Sequence, residues 1–79
     1  MVEIVRELFR FVAPHILDVV RGGSSADVER FLRDVEPILA DMYAQAEIQN
    51  LGQLPPEFRA PFERRILALK QSVGGGGRS

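Results

Sequence analysis

Residues that could support catalysis or bind a metal are few in this chain. There is no cysteine, which excludes a disulfide scaffold, a thiolate metal site and a cysteine nucleophile. The single histidine, His15, excludes a multi-histidine metal site.

His15 projects into an apolar helix face, whereas Asp18 lies on the polar face. A catalytic histidine needs a nucleophile or carboxylate beside it, so we expect His15 to lie at an interface or to be half-buried against a backbone carbonyl. Burial there would also make association sensitive to pH.

The remaining polar residues have simpler explanations than chemistry. Ser24 and Ser25 precede an apolar periodic segment and are predicted helix caps. We do not expect the glycines at 74–77 to form a phosphate-binding loop, because no helix is predicted after them. The acids of the second segment are spread among Arg30 and Arg33 in ordinary i,i+4 pairs. We therefore predict no enzymatic activity, no metal site and no cofactor.

Apolar periodicity predicts an all-α protein built from three helical segments. The segments cover about 2–21, 26–49 and 56–72, within a single helical domain at 1–73. The glycine-rich residues 74–79 are predicted to form a flexible tail.

The prolines and glycines leave some boundaries open. The first segment is either one helix bent at Pro14 or two short helices. We expect Gly22-Gly23 to end it by adopting positive φ. Pro37 faces the polar side of the second helix and is expected only to kink it, while the third helix opens at Pro56 or at Pro61.

The first helix carries more apolar surface than one neighbouring helix can cover. The third segment offers only a narrow stripe, and so small a core is marginal without a disulfide or metal. We therefore predict a small helical bundle completed by oligomerisation, with a homodimer favoured over a hetero-partner or a self-sufficient monomer. The predicted interface comprises Val5, Phe9, Val12, His15, Ile16 and Val20.

Charge is segregated along a chain whose formal net charge is −1. Residues 24–50 are acidic, and the third segment carries four basic residues, Arg59, Arg64, Arg65 and Lys70. These residues either contact an anion such as a nucleic-acid phosphate or face the acidic second helix. The first reading gives an alternative function, a small nucleic-acid-associated regulator using the basic C-terminal helix. A near-neutral domain with one tyrosine is not typical of that class.

The expected function is therefore a non-enzymatic protein–protein interaction module, a self-associating helical adaptor or regulator. A homo-oligomer is the first expected partner and a protein client the second; nucleic acid and membrane are not expected. No apolar run approaches the roughly 20 residues needed to cross a bilayer, and no signal peptide is recognisable, so we expect a cytoplasmic location. Nine of the ten basic residues are arginine, which indicates a bacterial or phage source.

Overall fold

The described part of the chain folds into three α-helices followed by a short π-helical turn. The computed structural model describes residues 2–75, with side chains from residue 4 to residue 73. No strand occurs in that part of the chain, so the all-α prediction is confirmed. The elements are α1 (Val2–Gly22), α2 (Ser25–Ile48), α3 (Pro56–Lys70) and a π-helical turn (Gln71–Gly75).

The first helix, α1, is continuous through Pro14. Pro14 is exposed, so water can satisfy the Arg10 carbonyl that lost its helical partner. The helix ends where the Gly23 N–H donates to the Val19 carbonyl over 2.8 Å. The expectation of positive φ at the glycines is wrong, because neither adopts it. A side chain at Gly23 would instead be crowded, since a Cβ there would lie 3.0 Å from the Cβ of Asp27 and 3.1 Å from the Val19 carbonyl oxygen.

The second helix, α2, is fixed at both ends by local hydrogen bonds. Ser24 is the N-cap: its hydroxyl accepts from the Asp27 N–H, and the Asp27 carboxylate accepts from the Ser24 N–H. At the other end Asn50 adopts φ 60°, and the Leu51 N–H donates to the Ala46 carbonyl. This pairing is a Schellman motif, which satisfies the last carbonyls and redirects the chain.

The third helix, α3, opens at Pro56, where a missing N–H costs no hydrogen bond. After Lys70 the backbone continues as the π-helical turn, in which Val73 is buried. The helical backbone therefore extends to Gly75, past the residue at which the tail was predicted to begin. Residues 76–79 of that predicted tail lie outside the described residues.

The helices pack around one apolar core. Because only Gly23 and Ser24 separate α1 from α2, these two helices form an antiparallel hairpin. The longest dimension of the molecule, 42 Å, follows this hairpin. Helix α3 covers one side of it and closes the core. The core residues are Ile4, Leu8, Val12, Val19, Phe31, Val35, Ile38, Met42, Ala46, Leu54, Phe62, Ile66 and Val73.

Candidate protein-interaction site

The flank of α1 that faces α3 carries a connected set of polar side chains. The Lys70 ammonium donates to Asp18 Oδ2 over 2.8 Å and to His15 Nδ1 over 3.1 Å. An ammonium only donates, so Nδ1 accepts and Nε2 of the neutral ring carries the proton. That nitrogen lies 3.9 Å from Glu63 Oε2. Four polar side chains thus link the C-terminal half of α1 to α3.

The contacts of Lys70 and the burial of His15 shift the pKa values of His15 and Asp18. Burial lowers the pKa of His15, and the Lys70 charge lowers it further, while Glu63 and Asp18 act in the opposite direction. The hydrogen bond from Lys70 is the main cause of a lowered pKa at Asp18. The Phe11 ring packs edge-on against the imidazole, with centroids 5.9 Å apart. Burial and the neighbouring ammonium therefore both favour the neutral form of the imidazole.

The contacts of His15 are those of a structural residue. They include no hydroxyl that could serve as a nucleophile. The sequence-based reasoning missed Lys70 as its partner, because the two residues are 55 positions apart and no local spacing relates them. Only the packing of α3 against α1 brings them together.

The opposite flank of α1 is apolar and exposed. Four large side chains, spaced as one helix face, are half exposed or more: Val5 (54%), Phe9 (67%), Leu17 (51%) and Val20 (50%). Scattered exposed apolar residues are ordinary, but a contiguous row of four on one helix is characteristic of an interaction surface.

The six residues of the predicted interface divide between this flank and the core. Val5, Phe9 and Val20 are exposed, and Ile16 is half-buried beside them. Val12 and His15 are buried within the chain instead. Leu17 is exposed on this flank and was absent from the predicted set.

The second helix continues the apolar surface. Helix α3 occupies one flank of α2, where Asp41, Gln45 and Gln49 line a cleft of about 680 Å³ with Phe58 and Phe62. On the helical wheel Leu32 and Tyr43 lie on the other flank, beside α1. Leu32 is 42% exposed and Tyr43 is half-buried. We call the surface formed by Val5, Phe9, Leu17, Val20, Leu32 and Tyr43 the hairpin face.

The four basic residues predicted to contact an anion do not form one free patch. Arg65 donates to Asp41 over 3.0 Å, and Lys70 is bonded to Asp18 and His15. Arg59 is half-buried, and its buried Nε has no hydrogen-bond partner in the described part of the chain. Arg64 is exposed. Two of the four basic side chains are therefore paired with acidic residues of the chain itself.

A second cleft, of about 360 Å³, lies between α1 and α3. Arg10, His15, Arg59 and Glu63 line it with Phe11 and two prolines. Glu63 offsets one of the two arginines there, which leaves the charged lining of the cleft net positive.

No match to this chain was found among protein-family models, curated proteins or solved structures. Within residues 2–75, no helix is sufficiently long and apolar to cross a membrane. Nor do any three His, Asp or Glu side chains of the described residues gather closely enough to hold a metal ion. The hairpin face is the most distinctive surface of the described part of the chain.

Proposed function

We propose that this chain is a non-enzymatic protein–protein interaction module that self-associates, most simply as a dimer, through the hairpin face. The observation that carries the proposal is the row of exposed apolar side chains on α1, with Phe9 at its centre and two thirds exposed. In a twofold dimer each of these side chains is buried twice, once from each copy. Burying apolar area of this kind is the main favourable contribution to association.

A dimer formed in this way completes a four-helix core from two hairpins. Helix α3 lies on the far side of each hairpin, so it remains accessible, as does the cleft between α2 and α3. In our proposal these outer surfaces are available to a protein client, and the chain acts as a small adaptor or regulator. The arginine-rich composition supports a bacterial or phage source, and a cytoplasmic setting remains part of the proposal.

Absolute mass by light scattering after size exclusion tests the proposal. The measured mass of the native chain should be twice its 8.8 kDa, and the measured mass of Phe9→Asp should be that of a folded monomer. Ile48→Asp is the matched control, because Ile48 is the most exposed large apolar side chain (76%) but lies on α2 away from the hairpin face. Its mass should remain that of the dimer. A native chain that stays monomeric at every concentration, or a Phe9→Asp variant that stays dimeric, would refute the proposal.

The nucleic-acid alternative has less support, because Arg65 and Lys70 are paired within the chain. It predicts binding that weakens steeply with salt and is lost in a variant with Arg64→Glu and Arg65→Glu. Absence of any mobility shift with DNA or RNA at low salt would remove it.

A further inference from the structure

We infer that the cleft between α1 and α3 binds an acidic side chain of the protein client, whose carboxylate lies between the guanidinium groups of Arg10 and Arg59. This inference gives the client a chemical class and a docking position. It rests on the proposed function only for the existence of a client. The cleft opens on the α3 flank of α1, away from Phe9, so it does not depend on the hairpin face.

Arg59 is the residue of this cleft whose hydrogen bonding is incomplete. Its Nε is buried and has no hydrogen-bond partner in the described part of the chain. Glu63 lies one helical turn further along α3, but its carboxylate approaches His15 Nε2 at 3.9 Å, and no ion pair among the described residues includes Arg59. A buried donor without an acceptor is unfavourable. The guanidinium therefore gains a hydrogen bond when it turns towards an acceptor that enters the cleft.

Arg10 supplies the second cation. It is exposed and lines the same cleft, and it too is absent from the ion pairs found within residues 4–73. A planar guanidinium matches a carboxylate, which accepts two parallel N–H bonds from it. Arg59 can donate from Nε and one terminal nitrogen, and Arg10 from its terminal nitrogens. Both arginines can therefore bind an acid from outside the chain.

The charge of the cleft matches a carboxylate better than a phosphate. Its two arginines against Glu63 leave a single positive charge when His15 is neutral, the form that its burial favours. A carboxylate carries one negative charge and balances that charge. A phosphate monoester carries nearly two, so Glu63 would repel the excess.

The shape of the surface favours a side chain within an extended peptide over a chain terminus. The cleft holds about 360 Å³, which is too small for a helix but suits a side chain. Its apolar walls, against which the methylene groups of a glutamate can pack, are Phe11, Pro14 and Pro56. At Arg10 it adjoins a second cleft, of about 230 Å³, which is lined in part by Gln53. A peptide that passes through both clefts places an internal acidic side chain beside Arg59.

Proton–nitrogen correlation NMR of the arginine Nε–H groups tests the site, because each arginine gives its own signal. The probe is the acetylated and amidated pentapeptide Ala-Leu-Glu-Leu-Ala, and the control peptide has Gln in place of Glu. The Glu peptide should shift the signals of Arg59 and Arg10 in a saturable titration. The Gln peptide should bind about tenfold more weakly or worse, since charge-assisted hydrogen bonds are lost.

Substitutions distinguish the cleft from a general attraction between charges. Arg59→Met should abolish saturable binding, and Arg10→Met, at an exposed position, should weaken it several-fold. Glu63→Gln removes the opposing carboxylate and should tighten binding several-fold. The matched controls are Arg64→Met and Glu57→Gln, which make the same charge changes at residues of α3 that line neither of these two clefts. Both should bind the Glu peptide as the native chain does.

The outcomes separate this site from the proposed self-association. Equal binding of the two peptides, no saturable shift with either, or binding that survives Arg59→Met would refute the carboxylate site, whatever the mass of the native chain. A Gln peptide that binds only when its C-terminal carboxylate is left free would make a chain terminus the ligand. Shifts caused by inorganic phosphate and by no peptide would make it a different anion, and either result overturns our assignment.

The monomeric Phe9→Asp variant should bind the Glu peptide as tightly as the native chain does. A native chain that never dimerises but binds the Glu peptide would therefore refute self-association and support this site. A native dimer whose Phe9→Asp variant is folded but has lost the Glu peptide would show that the site depends on the hairpin face, and our placement of the client would be wrong.

Discussion

The two flanks of α1 are opposite both in chemistry and in how they are covered. On the flank facing α3, the buried His15 and the largely covered Lys70 are hydrogen-bonded, and Lys70 also binds the half-exposed Asp18. On the other flank, Phe9 and its apolar neighbours remain in water. Burying polar groups is unfavourable unless they are hydrogen-bonded, and exposing apolar groups forgoes the main stabilising effect of folding. Helix α3 therefore completes the fold on one flank, and in our proposal the other flank is left for a partner.

Truncating matched leucines on the two sides of α1 should give the largest contrast. Leu8 is 8% exposed in the core and Leu17 is 51% exposed on the hairpin face. Leu8→Ala leaves a cavity and should lower the free energy of unfolding by about 2–5 kcal/mol, enough to unfold much of so small a domain. Leu17→Ala should change the unfolding of the dilute monomer by less than about 0.5 kcal/mol. Urea denaturation at low protein concentration measures both, and equal losses would show that the two sides are covered alike.

The dependence of thermal stability on protein concentration is the next largest expected effect. If the hairpin face is buried in a dimer, a hundredfold rise in concentration stabilises the folded dimer by about 2.7 kcal/mol and raises Tm by several degrees. Phe9→Ala should reduce this dependence while leaving the Tm of the dilute protein nearly unchanged. Ile48→Ala, which removes an even more exposed apolar side chain outside the face, should keep the native dependence. A native Tm that is independent of concentration would mean that the two flanks of α1 do not differ in function.

The division of α1 also shows what the sequence could and could not predict. The apolar phase of α2 and the Ser24 cap are local properties, so the second helix could be predicted from its own residues. The wheel of α1 reveals one broad apolar arc, but nothing in it specifies which part α2 and α3 will cover. The sequence therefore groups Val12 and His15 with Phe9 in one interface, although both are buried within the chain. Tertiary packing alone separates them.

The two ion pairs that link α3 to the hairpin should differ in strength. Lys70 retains 20% of its side-chain exposure and bonds two residues of α1, whereas Arg65 and Asp41 are each about half exposed. Water screens the second pair more completely. Lys70→Met, which keeps the aliphatic stem, should lower Tm by a few degrees, and Arg65→Met should lower it by less. Thermal melts of the two variants against the native chain measure this order, and an equal or larger loss for Arg65→Met would mean that the His15 cluster does not stabilise the α3 flank.

The smallest expected effect is a pH dependence confined to the same flank. Because burial and Lys70 lower the pKa of His15 in the folded chain, the unfolded chain binds a proton more readily. Stability should therefore fall as the pH drops through about 6.5, the ordinary histidine value, and level off below the lowered pKa of the folded state. The lowered pKa of Asp18 adds its own loss of stability only at more acidic pH, below about 4, so the two contributions are separable.

The urea midpoint measured between about pH 7.5 and 5 tests this assignment. In His15→Gln the midpoint should depend less on pH. In Glu63→Gln, which removes a carboxylate that raises the histidine pKa, the midpoint should depend more steeply on pH. If the urea midpoint of His15→Gln still depends on pH as in the native chain, another group causes the pH response, and His15 does not contribute to the difference between the two flanks.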